Sequence, residues 1–485
     1  MKSLLSILLL LISATSIQAQ LWATEITPYI IPLPPPNSES ELKGYDIQET
    51  NDGNYVFAGN HRFGVSSNYT YTPMLVKIDA TTGNVLWQQA YEQFNGGYMQ
   101  EVSVIEKPNG NLLMAGLNYN EIFLVETDAA GDTVQTTTYL SACALVNNVD
   151  CNLHTVRLRS TTDGNYIIGV GATGGLIGIP NPINELFKIS PNHTIIWRKN
   201  YDRCYLLDFQ PTSDGGYVFS GGSASNQAIL FKVDANGDSL WQQPYTNIPV
   251  YDLHSVKETP DGGFVVVGYI SGFAGNNPYV YKLDATGTTE AWSLILGPEQ
   301  GKAHHVTVDP TGNCVVTGTK QVSHGGMLGV MLPAAFASKI SPSGTVLQDQ
   351  IFDDLIDNSS RAIRYTSDGN FVIAGSHGNS MGDQDLGYVV KTGYTLNTIN
   401  VAGNNNQVSV FPNPFEQQTT IKVAKGNNQI MELEVYDALG RSVKVDYSTN
   451  NNQIVLSRGS LTAGVYWFSL RGDGQLIETG KLMIQ

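Results

Sequence analysis

The sequence predicts an all-β fold, a seven-bladed β-propeller followed by a small C-terminal β-sandwich. Three observations lead to this prediction. A strand–turn–strand segment recurs seven times in the 485 residues, a tryptophan recurs at one position of the repeat, and the last part of the chain has a different strand pattern. Charged residues make up only 14% of this glycine-rich chain, a composition typical of short strands and tight turns rather than of amphipathic helices.

The first half of each repeat is a hairpin with a glycine at its turn. Segments such as IQETNDGNYVFAG and VKETPDGGFVVVG place Asp-Gly between two alternating apolar runs. This is a strong hairpin signal, because glycine readily adopts the positive φ that such turns require. The turn glycines recur about every fifty residues, a spacing typical of propeller repeats. They are Gly53, Gly110, Gly164, Gly215, Gly262, Gly312 and Gly369. An apolar residue six positions earlier fixes the register of each first strand: Ile47, Val104, Leu158, Phe209, Val256, Val306 and Ile363.

The second half of the repeat is another hairpin, as in LVKIDATTGNVLWQQAY and ILFKVDANGDSLWQQPY. Two hairpins give four strands, and a radially repeated four-stranded sheet is a propeller blade. An aspartate opens several of these turns and is expected to cap its own turn; no segment has the alternating aspartates of a calcium loop, so no metal site is predicted. We expect the fourth-strand tryptophans to pack against the neighbouring blade: Trp87, Trp197, Trp241 and Trp292.

The seventh repeat lacks a recognisable fourth strand, and the N-terminal segment is the candidate replacement. Residues 21–29, LWATEITPY, carry Trp22 at the shared position. We expect this strand to close blade seven, which removes an exposed sheet edge. The predicted domains are therefore the propeller over residues 20–399, a polar linker over 400–407 and the β-sandwich over 408–485.

Residues 1–19 have the pattern of a secretory signal peptide, with a charged start at Lys2 before an apolar run. No later stretch is long and apolar enough to predict a membrane span in the mature chain. Export permits disulfides, so a local bridge between Cys143 and Cys151 and a pair of free thiols are both open alternatives. Cys204 and Cys314 are predicted to be small buried residues.

The formal net charge of −16 argues against two classes of partner. Nucleic acid and anionic lipid both require clustered lysine and arginine. The sequence has no phosphate-binding loop, dinucleotide fingerprint or serine-nucleophile motif. We therefore predict no nucleic-acid partner, no cofactor and no identifiable catalytic residue.

The C-terminal segment carries four short motifs in order: FPNP at 411–414, Asp437 with LGR at 439–441, Leu461 with AGVY at 463–466, and GKLMI at 480–484. With these motifs it resembles the C-terminal sorting domain of proteins exported by the type IX secretion system of certain Gram-negative bacteria. The resemblance implies recognition by the type IX secretion machinery and delivery to the cell surface or the extracellular space. The matching residues are Pro412, Asn413, Pro414, Gly440, Gly464, Tyr466 and Lys481.

Propellers usually bind ligands at one mouth of the central channel, where strand ends from all blades converge. If the first strand of each blade is innermost, the residues at its leading end line that mouth. These candidate ligand-binding residues are Asp46, Glu101, His154, Tyr205, Asp252, His254, His304, His305 and Arg361. The alternative is that they are ordinary polar strand ends. Residues 60–72 and 320–336 are predicted to be long loops, which often carry recognition.

Three classes of function are compatible with these features. The first is a non-catalytic surface module that binds a glycan or protein for adhesion or substrate capture. The second is a carbohydrate-active enzyme with paired carboxylates, or a histidine base, at the same mouth. The third is a quinone-cofactor dehydrogenase, because DATTGNVLW resembles the tryptophan-docking repeat of that family; those enzymes usually have eight blades and an adjacent cysteine pair, which this sequence lacks. Of these three classes, we expect the first, the non-catalytic surface module that binds a glycan or protein.

Overall fold

The computed structural model describes residues 20–28, 39–65, 68–96, 101–142, 151–174, 183–202, 205–222, 227–245, 250–272, 275–324, 330–352, 358–378, 384–393, 408–411, 415–423, 431–436, 442–450, 453–472 and 475–484. These residues are almost entirely in strands. They belong to two compact units, one spanning Ala19–Tyr394 and one that includes Thr395–Gln485. The predicted signal peptide and linker lie outside the described residues.

The described residues of the first unit form seven four-stranded antiparallel sheets, called blades 1 to 7. Strand β1 (Gln20–Ile26) belongs to blade 7. Blade 1 consists of β2 (Glu39–Glu49), β3 (Tyr55–Val65), β4 (Asn68–Ile78) and β5 (Val85–Ala90). Blade 2 consists of β6 (Val102–Glu106), β7 (Leu112–Asn118), β8 (Glu121–Thr127) and β9 (Thr133–Leu140). Blade 3 consists of β10 (Cys151–Ser160), β11 (Tyr166–Gly174), β12 (Ile183–Ile189) and β13 (Ile195–Asp202). A short 3₁₀ turn, Glu92–Phe94, follows β5.

Blades 4 to 7 repeat the same order of strands. Blade 4 consists of β14 (Tyr205–Pro211), β15 (Tyr217–Gly222), β16 (Ala228–Val233) and β17 (Ser239–Tyr245), and blade 5 of β18 (Val250–Glu258), β19 (Phe264–Gly272), β20 (Gly275–Leu283) and β21 (Glu290–Ile295). Blade 6 consists of β22 (Gly301–Val308), β23 (Cys314–His324), β24 (Val330–Ile340) and β25 (Val346–Phe352). Blade 7 consists of β26 (Asn358–Tyr365), β27 (Phe371–Gly378), β28 (Gln384–Thr392) and the N-terminal strand β1.

The blades form a closed ring with the first strand of each blade innermost. Each first strand contacts the first strand of the next blade, from β2 through β6, β10, β14, β18 and β22 to β26, and β26 in turn contacts β2. The apolar residue six positions before each turn glycine is buried in every blade, with at most 1% of its surface exposed. The predicted fold class and strand register are therefore confirmed.

Strand β1 supplies the fourth strand of blade 7. It pairs antiparallel with β28, with Trp22 opposite Lys391 and Glu25 opposite Tyr388. The strand ends at Ile26, before Pro28, which has no backbone N–H to donate to a ladder. A two-residue parallel pairing between β2 and β28 also joins blades 7 and 1.

The recurring tryptophan packs on the turn glycine of the next blade. A Cβ at Gly287 would lie 2.5 Å from the ring of Trp241, and one at Gly131 would lie 2.9 Å from the ring of Trp87. Both glycines also have positive φ, so any other residue would meet the ring as well as backbone strain. A tyrosine four positions after the tryptophan adds a hydrogen bond, as Tyr245 Oη donates to the carbonyl of Gly287 at 2.7 Å. The expected packing between blades is confirmed.

The two segments predicted to be long loops are strands instead. Residues 60–65 and 68–72 extend the hairpin of β3 and β4, with Asn60 opposite Pro73 and Val65 opposite Asn68. Residues 320–324 and 330–336 extend β23 and β24 in the same way, with His324 opposite Val330. The prediction was wrong because these segments, here called the arms of the two hairpins, lack a strict apolar alternation, since polar residues such as Asn60, His61 and Lys320 occupy buried positions in them.

The second unit contains two four-stranded antiparallel sheets. One consists of β29 (Val408–Phe411), β30 (Gln418–Val423), β34 (Gln453–Ser457) and β33 (Asp446–Asn450); the other consists of β32 (Ser442–Val443), β31 (Met431–Tyr436), β35 (Gly464–Gly472) and β36 (Gln475–Ile484). Apolar residues of both sheets, such as Ile421, Leu456, Val435 and Phe468, form one buried core. This is the predicted β-sandwich, with eight described strands where six or seven were expected.

The cysteines in the described residues do not define a bridge. Cys314 is buried on β23 with a free thiol, as predicted, and burial raises its pKa to about 12. Cys143 and Cys204 lie outside the described residues, so the pairing of Cys143 with Cys151 stays a prediction. No helix in the described part of the chain is both long and apolar enough to cross a membrane.

Candidate functional site

A β-bulge on the innermost strand of six blades directs a side chain into one pocket. A bulge places an unpaired extra residue in a strand and re-aims its side chain. The six bulge residues are Tyr45, His154, Leu207, His254, His304 and Arg361. All six line a pocket of about 370 Å³. Glu101, Thr155, Arg157 and Lys302 complete its lining.

A larger groove continues from this pocket. Lys302, His304 and Arg361 border both cavities. The groove has a volume of about 1080 Å³ and runs along blades 5 to 7, where the arm of β23 and β24 supplies Val322, Met331 and other residues of one wall. The second segment predicted to carry recognition therefore borders a cavity, although as a strand pair rather than as a loop.

A tyrosine and three histidines are among the ten described residues that line the pocket. The rings of His254 and His304 stack with centroids 5.6 Å apart, and His254 meets the edge of Tyr269 at 5.6 Å. On the opposite side His154 meets Tyr205 at 6.3 Å. Tyr205 and Tyr269 both donate hydrogen bonds to Asp252, the second at 3.4 Å. Tyr205 and Asp252 thus support the wall from behind, and neither is among the residues that line the pocket.

The three histidines of the pocket are neutral at physiological pH. Burial, together with the nearby positive charges of Lys302, Arg361 and Arg157, lowers the pKa of His254 to about 3. Burial also lowers the pKa of His304 to about 3 and that of His154 to about 4. A neutral imidazole has one N–H donor and one lone-pair acceptor. His304 Nδ1 lies 2.8 Å from the carbonyl oxygen of Ser360, so Nδ1 carries the proton and Nε2 is the acceptor.

Asp46 and His305 were expected at the mouth, but both are buried. Each follows a pocket residue in the sequence, Asp46 after Tyr45 and His305 after His304. Asp46 and His305 have only 3% and 4% of their surfaces exposed. Both contact Arg364, which forms an ion pair with Asp46 and donates a hydrogen bond to His305 Nε2 at 3.0 Å. The bulge separates the pocket-facing residue from the next residue, which points into the centre of the ring.

Asp46 and His305 belong to a polar network to which all seven blades contribute. Arg159 lies 3.1 Å from Asp208 and 4.0 Å from Asp46, and Ser255 donates to Asp208 at 2.7 Å. Ser103 donates to Asp46 at 2.7 Å. Burial raises the pKa of Asp46, but the positive charges of Arg364 and Arg159 outweigh burial and lower it overall. We call this group the central network: Asp46, Ser103, Arg159, Asp208, Ser255, His305 and Arg364.

Five pocket residues were not among the sequence candidates: Tyr45, Thr155, Arg157, Leu207 and Lys302. Tyr45 and Thr155 are each adjacent to a candidate in the sequence, Lys302 lies two positions before His304, and Arg157 forms an ion pair with Glu101. A sequence signal for the pocket exists, because Tyr45, Leu207, His254, His304 and Arg361 each lie eight positions before a turn glycine. Their common orientation becomes visible only with the strand pairing, because a bulge shifts the alternation of side chains by one residue.

The residues of the C-terminal motifs are only partly described. Pro412, Asn413, Pro414 and Gly440 lie outside the described residues. Gly464 begins β35 with a φ of +156°, and Tyr466 is buried in the sandwich core, where its hydroxyl donates to the carbonyl of Thr462 at 3.1 Å. Lys481 lies on β36 opposite Trp467. Gly464 and Tyr466 therefore contribute to the local fold of the sandwich.

Several solved structures are similar to this chain at low identity. A protein of unknown function from Dyadobacter fermentans matches with a TM-score of 0.42 and 11% identity over 68% of this chain and 96% of its own. Sqt1 from Chaetomium thermophilum, bound to the N-terminus of ribosomal protein L10, matches with a TM-score of 0.42 and 10% identity over 73% of this chain and 99% of its own. No curated protein sequence matches the chain.

The C-terminal part matches a family model. Residues 409–485 fit the model of the secretion system C-terminal sorting domain. This range contains all the sandwich strands except the first residue of β29. The match agrees with the resemblance of the four motifs to type IX sorting domains. Residues 409–485 are a type IX secretion C-terminal sorting domain, which directs the chain to the cell surface or the extracellular space.

Proposed function

We propose that the exported propeller binds a glycan or protein ligand in the pocket and the adjoining groove. The observation that carries this proposal is the convergence of six bulge residues, each from a different blade, on one pocket that opens into the groove. Ligand sites are typically concave and largely preformed, with volumes of about 300–1000 Å³. A mouth that opens to the extracellular environment fits adhesion or substrate capture.

The chemistry of the pocket favours binding over hydrolysis of a glycosidic bond. Glycosidases usually need two carboxyl groups about 5–9.5 Å apart. Among the described residues that line the pocket, Glu101 is the one carboxylate, and it forms an ion pair with Arg157. The histidines are weak bases, because their pKa values lie near 3 and 4. The pocket therefore provides contacts for a ligand but a poor acid–base pair.

The test is to fill the pocket and measure binding. Leu207→Trp places an indole in the pocket, whereas Leu240→Trp changes a side chain on the outer strand of the same blade that is 56% exposed. The purified exported chain and both variants are screened against glycan and peptide arrays, and their melting temperatures are compared. We expect ligands of the wild type to bind Leu207→Trp at least ten times more weakly and Leu240→Trp normally. Equal binding by all three proteins would contradict the proposal. The proposal would also fail if the wild type bound no glycan or peptide on the arrays.

A further inference from the structure

The pocket is positively charged in a protein whose net charge is −16. Arg157, Lys302 and Arg361 line it together with a single described carboxylate, that of Glu101. Glu101 pairs with Arg157, which also lies 3.8 Å from Asp208. Lys302 and Arg361 form no ion pair with any residue in the described ranges. Two positive charges at the junction of pocket and groove are thus left to attract a negative group.

Aromatic rings hold these two charges in place without neutralising them. Lys302 Nζ lies 4.3 Å from the centroid of the Tyr269 ring, and the guanidinium carbon of Arg361 lies 5.5 Å from that of Tyr45. Such cation–π contacts orient a positive group and leave its N–H donors available. Asp252 accepts a hydrogen bond from Tyr269 at 3.4 Å and so braces the ring beneath Lys302.

The neutral histidines add hydrogen-bonding groups suited to hydroxyls. His304, which borders both cavities, donates from Nδ1 to Ser360, so its Nε2 can accept a hydrogen bond from a ligand hydroxyl. His154 Nε2, in the opposite wall, is buried and has no hydrogen-bond partner in the structure. Positive donors for a carboxylate, next to an acceptor for hydroxyls, match the functional groups of a sugar acid.

We propose that the pocket and groove bind an oligosaccharide that contains carboxylated sugars, with Lys302 and Arg361 binding the carboxylate of one sugar residue. This inference rests on the proposed function. The 370 Å³ pocket has room for a sugar-sized group, and the groove of about 1080 Å³ has room for its neighbours in the chain. An acidic peptide also carries carboxylates, so tetraglutamate serves as a competing probe in the test below.

The ligand probes are acidic oligosaccharides and their carboxyl-reduced forms. Oligogalacturonate, alginate oligomers, hyaluronan oligomers and sialyllactose are titrated into the purified exported chain by calorimetry, and each is compared with the same molecule after reduction of its carboxylates to alcohols. We expect at least one acidic oligosaccharide to bind, and its reduced form to bind at least ten times more weakly. A sulfated oligosaccharide and tetraglutamate are included as competing anions. Preference for either of them, or equal binding of acidic and reduced sugars, would overturn the inference.

The protein variants separate this inference from the proposed function. We expect Lys302→Gln and Arg361→Gln each to weaken binding at least tenfold, and Lys199→Gln, which alters an ion pair with Asp238 on an exposed outer strand, to leave binding unchanged. Melting temperatures show whether each variant is folded. If Leu207→Trp abolishes binding but Lys302→Gln and Arg361→Gln bind normally, the pocket is a binding site and the acidic-sugar inference fails. If Leu207→Trp also binds normally, both proposals fail.

Discussion

Asp208 is the most deeply buried carboxylate of the central network, with no exposed surface. It accepts hydrogen bonds from Arg159 at 3.1 Å and from Ser255 at 2.7 Å. Each partner belongs to a different blade, so this side chain links blades 3, 4 and 5. A buried charge that keeps all its partners is tolerated, whereas removal of one partner leaves the other uncompensated. The network therefore makes the blades depend on one another at the centre of the ring.

We expect Asp208→Asn to lower the free energy of unfolding by about 3–5 kcal/mol, because it removes the nearer of the two carboxylates beside the buried charge of Arg159 and leaves only Asp46, at 4.0 Å. The measurement is a urea titration followed by tryptophan fluorescence. Asp238→Asn is the matched control in the same blade, since it removes only an exposed ion pair with Lys199 and is expected to change stability by at most about 1 kcal/mol. Equal effects of the two substitutions would show that the central network does not stabilise the ring.

At the outer strands of the ring, a short segment of the fourth strand contacts the next blade. In blade 4, Trp241 packs on Gly287 and meets the edge of the Phe264 ring at 6.1 Å, while Tyr245 donates to the Gly287 carbonyl. Blade 2 has no tryptophan at this position, and His193 of blade 3 replaces the turn glycine, with a φ of +62°. His193 lies 3.2 Å from Glu126 of blade 2, and because burial lowers the pKa of His193 its ring is neutral, so a polar contact takes the place of the packing of tryptophan on glycine.

Removal of the tryptophan tests the importance of this contact. We expect Trp241→Ala to lower the free energy of unfolding by about 1–3 kcal/mol, less than for a fully buried tryptophan because the ring is half-buried. Leu240→Ala, at the preceding and 56% exposed position, is expected to change stability by less than about 0.5 kcal/mol. Thermal unfolding followed by circular dichroism measures both. A larger effect of Leu240→Ala would contradict the packing described for this strand.

Sequence reasoning reached the strands but only part of the site. The turn glycines and the apolar residue six positions before them fix each inner hairpin, because turn chemistry and alternation are local properties. The position at the leading end of each first strand also selected His254 and His304 as candidates. It could not separate His304 from His305, because a bulge at the first decides which of the two faces the pocket. Lys302 was missed for a similar reason, since its role depends on Tyr269 in the neighbouring blade.

The acid sensitivity of the whole propeller follows from its buried histidines. Burial lowers the folded-state pKa of His154, His254 and His304 to between about 3 and 4, and burial and Arg364 hold that of His305 well below its usual value. In the unfolded chain these histidines titrate near 6.5. Between about pH 4.5 and 6.5 the unfolded state therefore binds more protons than the folded state, and stability falls as the pH is lowered.

We expect the melting temperature to decrease between pH 7 and pH 4.5. Each histidine contributes at most about 1.4 kcal/mol per pH unit to the slope, and less where solvent reaches its ring. The double variant His254→Gln and His304→Gln should show a shallower decrease over the same range, because glutamine does not titrate. Carboxylates with lowered pKa values, such as Asp46, begin to contribute below about pH 5, and they do so equally in the wild type and in the variant. Parallel curves for wild type and variant would contradict this explanation.

The use of β1 as the last strand of blade 7 affects how the chain matures. Strand β1, which carries Trp22, pairs with β28 at residues 384–392. A shortened polypeptide that stops before blade 7 therefore leaves β1 without a sheet, and it leaves uncovered the faces of blades 1 and 6 that pack on blade 7. Such surfaces are prone to proteolysis and aggregation. The sorting domain follows blade 7 along the chain, so every molecule that carries this export signal also carries the strands needed to seal the ring. Export that requires the sorting domain therefore transports chains whose propeller can close.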